Sequence, residues 1–439
     1  MHASAVPHGA GEFGPELRRR RIAAGLTLTR LAELLNYSKG HLSKIERGHK
    51  HPPAELARRC DVRLGAGGEL ARLAPFEAPE RGAGVDGASV DETAWLLRVG
   101  RDGVRWPGGL GRRQLLAAGA TTLLGAGVAA AVVPPPQAVA AATDAAPVEI
   151  FRLQFDQMRA LGQTTDPGVL LPLLTVQTHT LRELAVKAAP SSRPKLLGLA
   201  ARYAEYAGWM AQEDGDNPAA LWWTARAVEL AEAGGDRDLA SYALVRRALV
   251  TLYAGDAAQT VELVAQAQEG SLPPRIRGLA AQREAQGHAL AGDHAASLRS
   301  LERAGDLLAR AVAQDGSDAP VLGTSNLSDP AAMVTGWCLH DLGRSAQAAE
   351  ILDREYPRIP VRATRSRARY GLRRALAHAA AGEIEYACVL AAELLPLVPG
   401  LRSATIGTDV ERLARELARF RANRAVLDLQ PALAAALHP

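Results

Sequence analysis

One segment, residues 27–48, restricts the fold of this chain more than any other, because its pattern allows two short helices separated by a tight turn. Thr27 can cap the first helix through its hydroxyl group. Asn36 falls in the turn, which needs a left-handed backbone conformation that asparagine tolerates. The first helix would bury an apolar face whose residues recur at helical spacing: Leu28, Leu31, Ala32 and Leu35.

The second helix of this segment has one apolar and one polar face. Ser38 can cap its N-terminus, and Leu42 and Ile45 would face a core. A short helix with a basic and hydroxyl-bearing N-terminal half fits the major groove of DNA, where it can donate hydrogen bonds to guanine edges and to phosphates. The residues of the polar face are Lys39, His41, Ser43 and Lys44.

Residues 14–74 resemble the XRE type of helix-turn-helix, the phage-repressor-like DNA-binding domain of bacteria. The resemblance implies a compact five-helix domain whose recognition helix is at residues 38–47. The Ile-Glu-Arg-Gly ending makes the match specific. The matching pieces are Arg19-Arg-Arg-Ile-Ala-Ala-Gly-Leu26, Leu31-Ala-Glu-Leu-Leu35, Ser38 and Leu42-Ser-Lys-Ile-Glu-Arg-Gly48.

The same resemblance implies which residues meet DNA. Thr29 and Arg30 fall where the family grips the DNA backbone, and the recognition helix reads bases and phosphates. Gly40 stands where a side chain often reads a base, so direct readout is thinner here. For the lysines of the recognition helix, a solvated helix face remains the alternative. The implied DNA contacts are Thr29, Arg30, Ser38, Lys39, Gly40, His41, Ser43 and Lys44.

The distribution of charge is that of a nucleic-acid-binding module attached to a second part. Residues 1–74 hold thirteen Lys/Arg and seven Asp/Glu, a net charge of +6, whereas the whole 439-residue chain carries +4. The four arginines at residues 18–21 either contact phosphates or form the exposed face of the first helix. Three scattered cysteines, Cys60, Cys338 and Cys388, are too few for a disulfide framework or a metal site.

Composition divides the chain into four parts. Residues 1–13 are predicted to be a disordered lead and residues 14–74 the DNA-binding domain. Residues 75–147 are predicted to be a linker that carries one short helix near residues 92–98. Residues 148–439 show helical periodicity throughout and no strand-like alternation. The whole chain is therefore predicted to be all-α.

Residues 115–133 form an uncharged, Ala- and Gly-rich stretch of 19 residues. Its length permits a membrane span, and Arg112 and Arg113 before it would keep the N-terminus in the cytoplasm. The arginine pair, the apolar stretch and the following Ala138-Val-Ala140 also look like a twin-arginine export signal. The position after a DNA-binding domain and the weak apolar character argue against export. A helical linker in a cytoplasmic protein is favoured, and a single-pass membrane tether is the alternative.

Glycines recur in the C-terminal region where helices are expected to end: Gly215, Gly255, Gly292, Gly343 and Gly382. Glycine can end a helix with a left-handed cap. A small residue a few positions later would let the next helix pack closely, as at Ala258, Ala296, Ala348 and Ala387. Because one helix pair cannot bury its own apolar face, repetition of this unit predicts an α-solenoid.

This region resembles tetratricopeptide repeats, most clearly at residues 285–304. The period is longer than that of the family, and an insertion lies at about residues 316–328, so the repeats are degenerate. The order of parts is similar to a group of actinobacterial regulators and to the peptide-sensing regulators of Gram-positive bacteria. The resemblance implies a repeat domain that binds a short peptide or protein signal and controls the DNA-binding domain.

A solenoid presents a concave surface lined by the first helix of each pair. Aromatic and arginine side chains together suit an extended peptide that carries a carboxylate or acidic groups. The proposed ligand contacts are Arg202, Tyr206, Arg246 and Arg283, with Tyr203, Trp209, Trp223, Arg247, His288 and Trp337 as further candidates. Each tryptophan is explained more simply as a core residue, and a solvated helix face explains the arginines equally well.

The sequence contains no glycine-rich phosphate loop, no metal-ligand spacing of histidines and no Gly-x-Ser-x-Gly elbow. No enzymatic activity, cofactor or metal is expected. The favoured function is a sequence-specific transcriptional regulator that binds double-stranded DNA as a homodimer, with the repeats used for dimerisation, for binding a peptide or protein signal, or for both. The alternative is a membrane-tethered scaffold whose repeats gather partner proteins and whose helix-turn-helix is accessory.

Overall fold

The structure is a computed structural model that describes residues 13–35, 37–73, 146–268, 272–314, 322–324 and 326–437. Among these residues the secondary structure is helical and contains no strand, which confirms the predicted all-α class. The turn at Asn36, the short helix near residues 92–98 and the apolar stretch at residues 115–133 lie outside the described residues.

The N-terminal unit consists of five short helices around one small core, as the sequence predicts. Helices α2 and α3 are the two predicted from residues 27–48. The helices are α1 (Phe13–Ala23), α2 (Leu28–Leu35), α3 (Lys39–Glu46), α4 (Ala54–Arg63) and α5 (Glu69–Arg72). The core comprises Phe13, Leu17, Leu31, Ala32, Leu35, Leu42, Ile45, Leu56, Ala57, Cys60, Ala66 and Leu70. Phe13, the last residue of the predicted lead, is thus part of this core.

Local polar contacts fix the ends of these helices. The hydroxyl oxygen of Thr27 accepts a hydrogen bond of 3.1 Å from the backbone N–H three residues later. Ser38 accepts one of 3.2 Å in the same way and caps α3, as predicted. The guanidinium of Arg21 donates to both carboxylate oxygens of Glu46, at 2.6 and 3.0 Å. This ion pair joins α1 to the last residue of α3.

The C-terminal unit, called the repeat body from here on, is a stack of packed helices consistent with a solenoid. Its helices are α6 (Ala146–Leu161), α7 (Pro167–Lys187), α8 (Arg193–Glu213), α9 (Asn217–Ala233), α10 (Asp238–Tyr253), α11 (Ala257–Gln266), α12 (Pro274–Ala291), α13 (His294–Gln314), α14 (Pro330–Asp341), α15 (Ser345–Glu355), α16 (Thr364–Ala381), α17 (Ile384–Leu394), α18 (Val398–Leu401), α19 (Ala404–Leu417) and α20 (Arg424–Leu437). Short 3₁₀ turns occur at Tyr356–Arg358, Leu395–Leu397 and Ala418–Phe420.

The predicted glycine turns all adopt the left-handed conformation, with φ between 79° and 99°: Gly215, Gly255, Gly292, Gly343 and Gly382. The residue five positions after each glycine is small and at most 1% exposed: Ala220, Thr260, Ser297, Ala348 and Ala387. The prediction of Ala258 as a packing residue was wrong. Ala258 is exposed because the next helix turns Thr260 toward the preceding helix instead.

The repeat body curls back until its first helices contact a later one. Arg365, at the start of α16, is 1% exposed and pairs with Glu213, at the end of α8, at 3.0 Å. The same guanidinium donates to the backbone oxygens of Gly162 and Thr165, at 2.8 and 2.7 Å. The predicted concave surface therefore lines a cavity, and the buried Arg365 in its wall joins α16 to the first helices of the repeat body.

Helix α4 of the N-terminal unit contacts the repeat body through a buried arginine. Arg59 is 6% exposed and lies 3.1 Å from Glu416 of α19. Its other terminal nitrogen donates to the carbonyl oxygen of Ala380, near the end of α16. The N-terminal unit is thus held by an ion pair and a backbone contact that its own sequence does not reveal.

The glycine turns of the repeat body form the surface on which α4 and α5 rest. Arg58 donates to the carbonyl oxygen of Leu290 at 3.5 Å. A Cβ atom added at Gly343 would lie 3.1 Å from the backbone carbonyl of Arg58, and one added at Gly68 would lie 2.9 Å from the carbonyl oxygen of Gly292. Glycine therefore serves two purposes at these turns: it permits the positive φ and it allows close backbone approach.

One stretch of the described residues, Ile384–Leu401, is long and apolar enough to cross a membrane. Half of it is buried inside the repeat body, where its apolar residues form much of the C-terminal core. The 3₁₀ turn at Leu395–Leu397 also interrupts it. It is accounted for as core, so the described residues give no support to the membrane-tethered alternative.

Candidate DNA-binding surface and a cavity in the repeat body

Helix α3 presents a polar, basic face to solvent. Its apolar positions Leu42 and Ile45 are buried, whereas Lys39, Gly40 and Lys44 are exposed. Three of the five lysines of the whole chain lie between residues 39 and 50. Because lysine is a compact, strongly hydrated cation, this concentration suits contacts with phosphates at a wet surface.

The other residues predicted to contact DNA from α3 and its cap are less available for hydrogen bonds to a ligand. His41 is half-buried, and its ring lies 5.4 Å from that of Tyr37. Burial lowers the pKa of His41, and the charges of Lys50, Arg419 and Lys44 lower it further, which disfavours the charged imidazolium. The Ser38 hydroxyl is used in capping α3, and the half-buried Ser43 lies between the two faces. The exposed positive charge of α3 is therefore that of Lys39 and Lys44.

Thr29 and Arg30, predicted to grip the DNA backbone, are both exposed on α2. Arg30 lies 3.0 Å from Glu33, and both side chains are more than half exposed. A solvent-exposed pair of this kind contributes little to stability. Arg30 can therefore exchange its carboxylate partner for a DNA phosphate at small cost.

The arginines at residues 18–21 divide between two roles. Arg21 is bound to Glu46, and Arg20 lies 2.6 Å from Glu16, so these two stabilise the fold of the N-terminal unit. Arg18 and Arg19 are exposed, and Arg19 also pairs with Glu16 at 2.5 Å. Of the two interpretations left open by the sequence, the exposed face of the first helix fits Arg18 and Arg19, whereas neither describes the half-buried, ion-paired Arg20 and Arg21.

Arg419 of the repeat body reaches the edge of this surface. It donates to the carbonyl oxygen of Leu35 at 2.7 Å, and its guanidinium carbon lies 3.9 Å from the ring centre of Tyr37. Both residues flank the turn between α2 and α3. Sequence reasoning missed this contact because 384 positions separate Arg419 from Leu35 and no local pattern marks it.

The repeat body encloses a cavity of about 160 Å³. The four predicted ligand contacts, which are spread over α8, α10 and α12 in the sequence, all line it: Arg202, Tyr206, Arg246 and Arg283. Trp209 lines it as well, and α6 and α16 contribute further residues. The structure thus brings the predicted set together, in a largely enclosed space instead of along an open groove.

Positive charge dominates the lining of this cavity. Among the described lining residues there are six arginines and a single carboxylate, that of Glu205. Glu213, which lies behind the wall, pairs with two of the arginines, Arg365 at 3.0 Å and Arg369 at 2.6 Å. Arg246 lies 3.5 Å from Glu205. Arginines therefore outnumber carboxylates among the described lining residues.

Burial shifts the pKa of several lining groups. Burial lowers the pKa of Arg283, whereas electrostatic interaction with Tyr370 and Tyr253 raises it. It also lowers the pKa of Arg202, against the charge of Glu205, and it raises the pKa of Tyr206. An anion in the cavity would oppose the effect of burial on both arginines.

One buried amide in the cavity wall lacks a partner. Gln282 is 2% exposed, and its side-chain nitrogen has no hydrogen-bond partner among the described residues. Arg283, beside it in α12, donates to the side-chain oxygen of Gln286. A buried polar group without a partner is costly, so a ligand that accepts a hydrogen bond from Gln282 would be favoured.

Other sequence candidates take structural positions. Tyr203 is fully buried and donates to the carbonyl oxygen of Phe151 at 2.8 Å. Trp223 belongs to the core, and Trp337 is buried beneath the guanidinium of Arg373. The remaining two lie outside the cavity lining: Arg247, which is exposed, and His288. No cluster of potential metal ligands occurs in the described parts of the chain.

Comparison with known proteins gives one positive result. Residues 12–74 match the model of a helix-turn-helix domain family. No characterised protein and no solved structure matches the chain. The matched residues contain α1 to α5, so the N-terminal unit is a helix-turn-helix domain. Together with the basic face of α3, this match supports a DNA-binding regulator.

Proposed function

We propose that this protein is a sequence-specific transcriptional regulator of the XRE type. The observation that carries the proposal is the exposed, lysine-bearing face of α3 in a unit that matches a helix-turn-helix domain. In such units the second helix of the motif lies in the major groove of DNA. Lys39 and Lys44 would contact phosphates or guanine edges there, and Thr29 and Arg30 would contact the DNA backbone.

The regulator would act as a homodimer on a palindromic site. One α3 helix offers a small reading surface, further reduced by Gly40 and by the half-buried His41. Two copies about one helical turn of DNA apart would double the number of base contacts. The repeat body, proposed to be of the degenerate tetratricopeptide type, would bring the two copies together.

The repeat body would also respond to a signal and so control the DNA-binding unit, without catalysis. Arg59, Arg58 and Arg419 hold the two units together through buried or half-buried contacts. A ligand that favours one arrangement of these contacts would shift the population of DNA-binding conformations. Such control requires only that the ligand bind the two arrangements with different affinities.

Replacing Lys39 and Lys44 by alanine in the full chain tests the recognition helix. We expect operator affinity to fall and the slope of log K against log salt to decrease by about 4, because each of the two copies loses two phosphate contacts. The measurement is fluorescence anisotropy of labelled operator at several salt concentrations. The operator itself can be found by crosslinking the protein to genomic DNA.

The matched control is Lys187→Ala with Lys195→Ala, which removes two exposed lysines from the repeat body. This variant should bind the operator as the unmodified protein does. Circular dichroism must show both double variants folded. Equal operator binding by the Lys39/Lys44 variant and the control would contradict the assignment of α3 as the recognition helix.

A further inference from the structure

We propose that the cavity of the repeat body is a binding site for a small organic carboxylate with an apolar or aromatic body. This inference rests on the proposed function, since it names the chemical class of the signal that the repeat body receives. It replaces an extended peptide with a single small acid. Geometry, charge and size support it separately.

The geometry supplies hydrogen-bond donors from one side. Gln282 and Arg283 are adjacent in α12, and Arg246 comes from the neighbouring α10; all three line the cavity. The side-chain nitrogen of Gln282 is buried and lacks a partner among the described residues. A carboxylate offers two oxygens, so it can accept from an arginine fork and from this amide together.

The charge balance favours an anion. The described lining contains six arginines and one carboxylate, and Glu213 behind the wall pairs with Arg365 and Arg369. Removing cations from water is costly unless an opposite charge compensates them. A bound carboxylate would supply that charge inside the cavity, where electrostatic interactions are stronger than in water.

The apolar part of the lining defines the rest of the ligand. Rings surround the space on the side of α6 and α8: Phe155, Tyr206 and Trp209. The ring centres of Tyr206 and Trp209 are 5.3 Å apart, and those of Phe155 and Tyr206 are 5.9 Å apart. Leu279 adds an aliphatic surface. These groups bind the hydrocarbon portion of an acid by burying it from water.

The size of the cavity suits a small molecule. A volume of 160 Å³ corresponds to roughly ten water positions. A molecule with on the order of ten non-hydrogen atoms fills such a space. Benzoate, phenylacetate and hexanoate are of this size and carry one carboxylate each.

The location of the cavity connects it to the DNA-binding unit. Helix α16 contributes Arg365 and Arg369 to the cavity wall, and near its other end the carbonyl oxygen of Ala380 accepts from Arg59 of α4. Eleven residues of helix, roughly 16 Å, separate Arg369 from Ala380. A ligand that moves the start of α16 therefore acts on the same rigid element that holds α4.

The test measures binding to the full chain without DNA by titration calorimetry, with benzoate, phenylacetate and hexanoate as probes. Each acid is paired with its neutral amide. We expect at least one acid to bind at least tenfold more tightly than its amide and to raise the melting temperature. Failure of all three acids to bind, or equal affinity for an acid and its amide, would overturn the proposal.

Two variants locate the site. Arg283→Met should weaken binding of the acid by about tenfold to a hundredfold, since it removes a charged hydrogen-bond donor. Gln282→Leu should weaken binding of the acid without lowering the melting temperature of the ligand-free protein, a result that a purely structural role would not give. Unchanged affinity in both variants would place the acid elsewhere and overturn the proposal.

The matched control is Arg247→Met, which removes an exposed arginine next to Arg246 on α10. It should leave binding of the acid unchanged. Inorganic phosphate serves as an anion without an apolar body; if it competes with the acid at equal concentration, the aromatic lining plays no part and the proposed ligand class is wrong. The Lys39/Lys44 variant should bind the acid normally, so failure of DNA binding and failure of acid binding are separate results.

Discussion

The exposed face of α3 and the cavity of the repeat body are both positively charged, yet they use different cations. Helix α3 exposes Lys39 and Lys44, whereas the described lining of the cavity contains six arginines and no lysine. Lysine carries a compact, strongly hydrated charge, and arginine carries a planar, weakly hydrated one that tolerates burial and binds carboxylates at two points. The two proposals therefore differ in the anion because the two regions differ in solvation: phosphates are proposed for the wet surface and a carboxylate for the enclosed space.

We expect the largest difference between the two regions in how strongly salt weakens the binding of their ligands. A dimer that makes about six to ten phosphate contacts loses about 10³- to 10⁵-fold in DNA affinity between 50 mM and 200 mM salt, because counterions compete for the phosphates. Buried charges are screened much less. We therefore expect phenylacetate affinity to change by less than about threefold over the same range.

The measurement is the salt dependence of Kd for operator DNA and for phenylacetate, both on the full chain and with the same monovalent salt. A steep salt dependence of phenylacetate binding would show that the acid binds at the surface. A flat dependence of operator binding would show that phosphate contacts do not drive association. Either result would remove the contrast between the two regions.

Removing Glu213 should have the next largest effect. This carboxylate is 1% exposed and accepts from Arg365, Arg369 and the hydroxyl of Ser403, the last at 2.6 Å. Breaking a buried ion pair from one side costs about 3–5 kcal/mol, because the remaining charges lose their compensation. Glu213→Gln should lower the free energy of unfolding by that amount, measured by urea denaturation. The control Glu229→Gln removes a surface partner of Arg226 and should cost less than about 1 kcal/mol.

Glu213 also predicts a dependence of stability on pH. Burial raises the pKa of this carboxyl group, but Arg369 and Arg365 outweigh burial and bring the pKa to about 2 from the ordinary 4.5. A carboxyl group whose folded pKa is depressed stabilises the fold above its unfolded pKa. Its contribution is therefore complete above pH 4.5 and is lost as the pH falls toward 2. Glu213→Gln should lack this part of the acid transition, and an identical acid profile in both proteins would contradict the ion-pair assignment.

Local features of both regions follow from the sequence, since they depend on neighbouring residues. Ser38 caps α3, and the five glycines predicted to end helices of the repeat body adopt positive φ, because the controlling interactions lie within a few positions. The error at Ala258 is also local: the buried position lies five residues after each glycine, and Thr260 occupies it there. The position within the helical turn therefore predicts the buried residue after each glycine better than the nearest alanine does.

Closure of the cavity and attachment of the N-terminal unit to the repeat body both depend on contacts that no local pattern contains. Arg365 and Glu213 are 152 positions apart, and Arg59 and Glu416 are 357 apart. Arg365 has the same sequence signature as an exposed helical arginine, although it is 1% exposed. Residue type was enough to predict that Arg202, Tyr206, Arg246 and Arg283 share one surface. The curvature that encloses them is the sum of many small packing angles between helices, which the sequence pattern does not show.

Removing a contact between the N-terminal unit and the repeat body should have the smallest of the three effects. Arg59→Met removes the ion pair to Glu416 and the hydrogen bond to Ala380, but Glu416 keeps Arg419 at 2.6 Å. The cost should therefore be about 1–3 kcal/mol, below that of Glu213→Gln. Because the loss is confined to the interface, backbone amides of α4 should exchange with deuterium faster, while those of α8 and α10 remain protected.

Hydrogen exchange followed by mass spectrometry measures this directly, with Arg72→Met as the control because Arg72 is exposed on α5. Faster exchange in α4 alone would mean that the helix-turn-helix unit and the repeat body are separate cooperative units joined at a small interface, a condition for control by a shift of populations. Faster exchange throughout both units would mean that they unfold together. In that case the lysine surface and the arginine cavity would belong to one cooperative fold, and a ligand in the cavity would stabilise the DNA-binding unit without reorienting it.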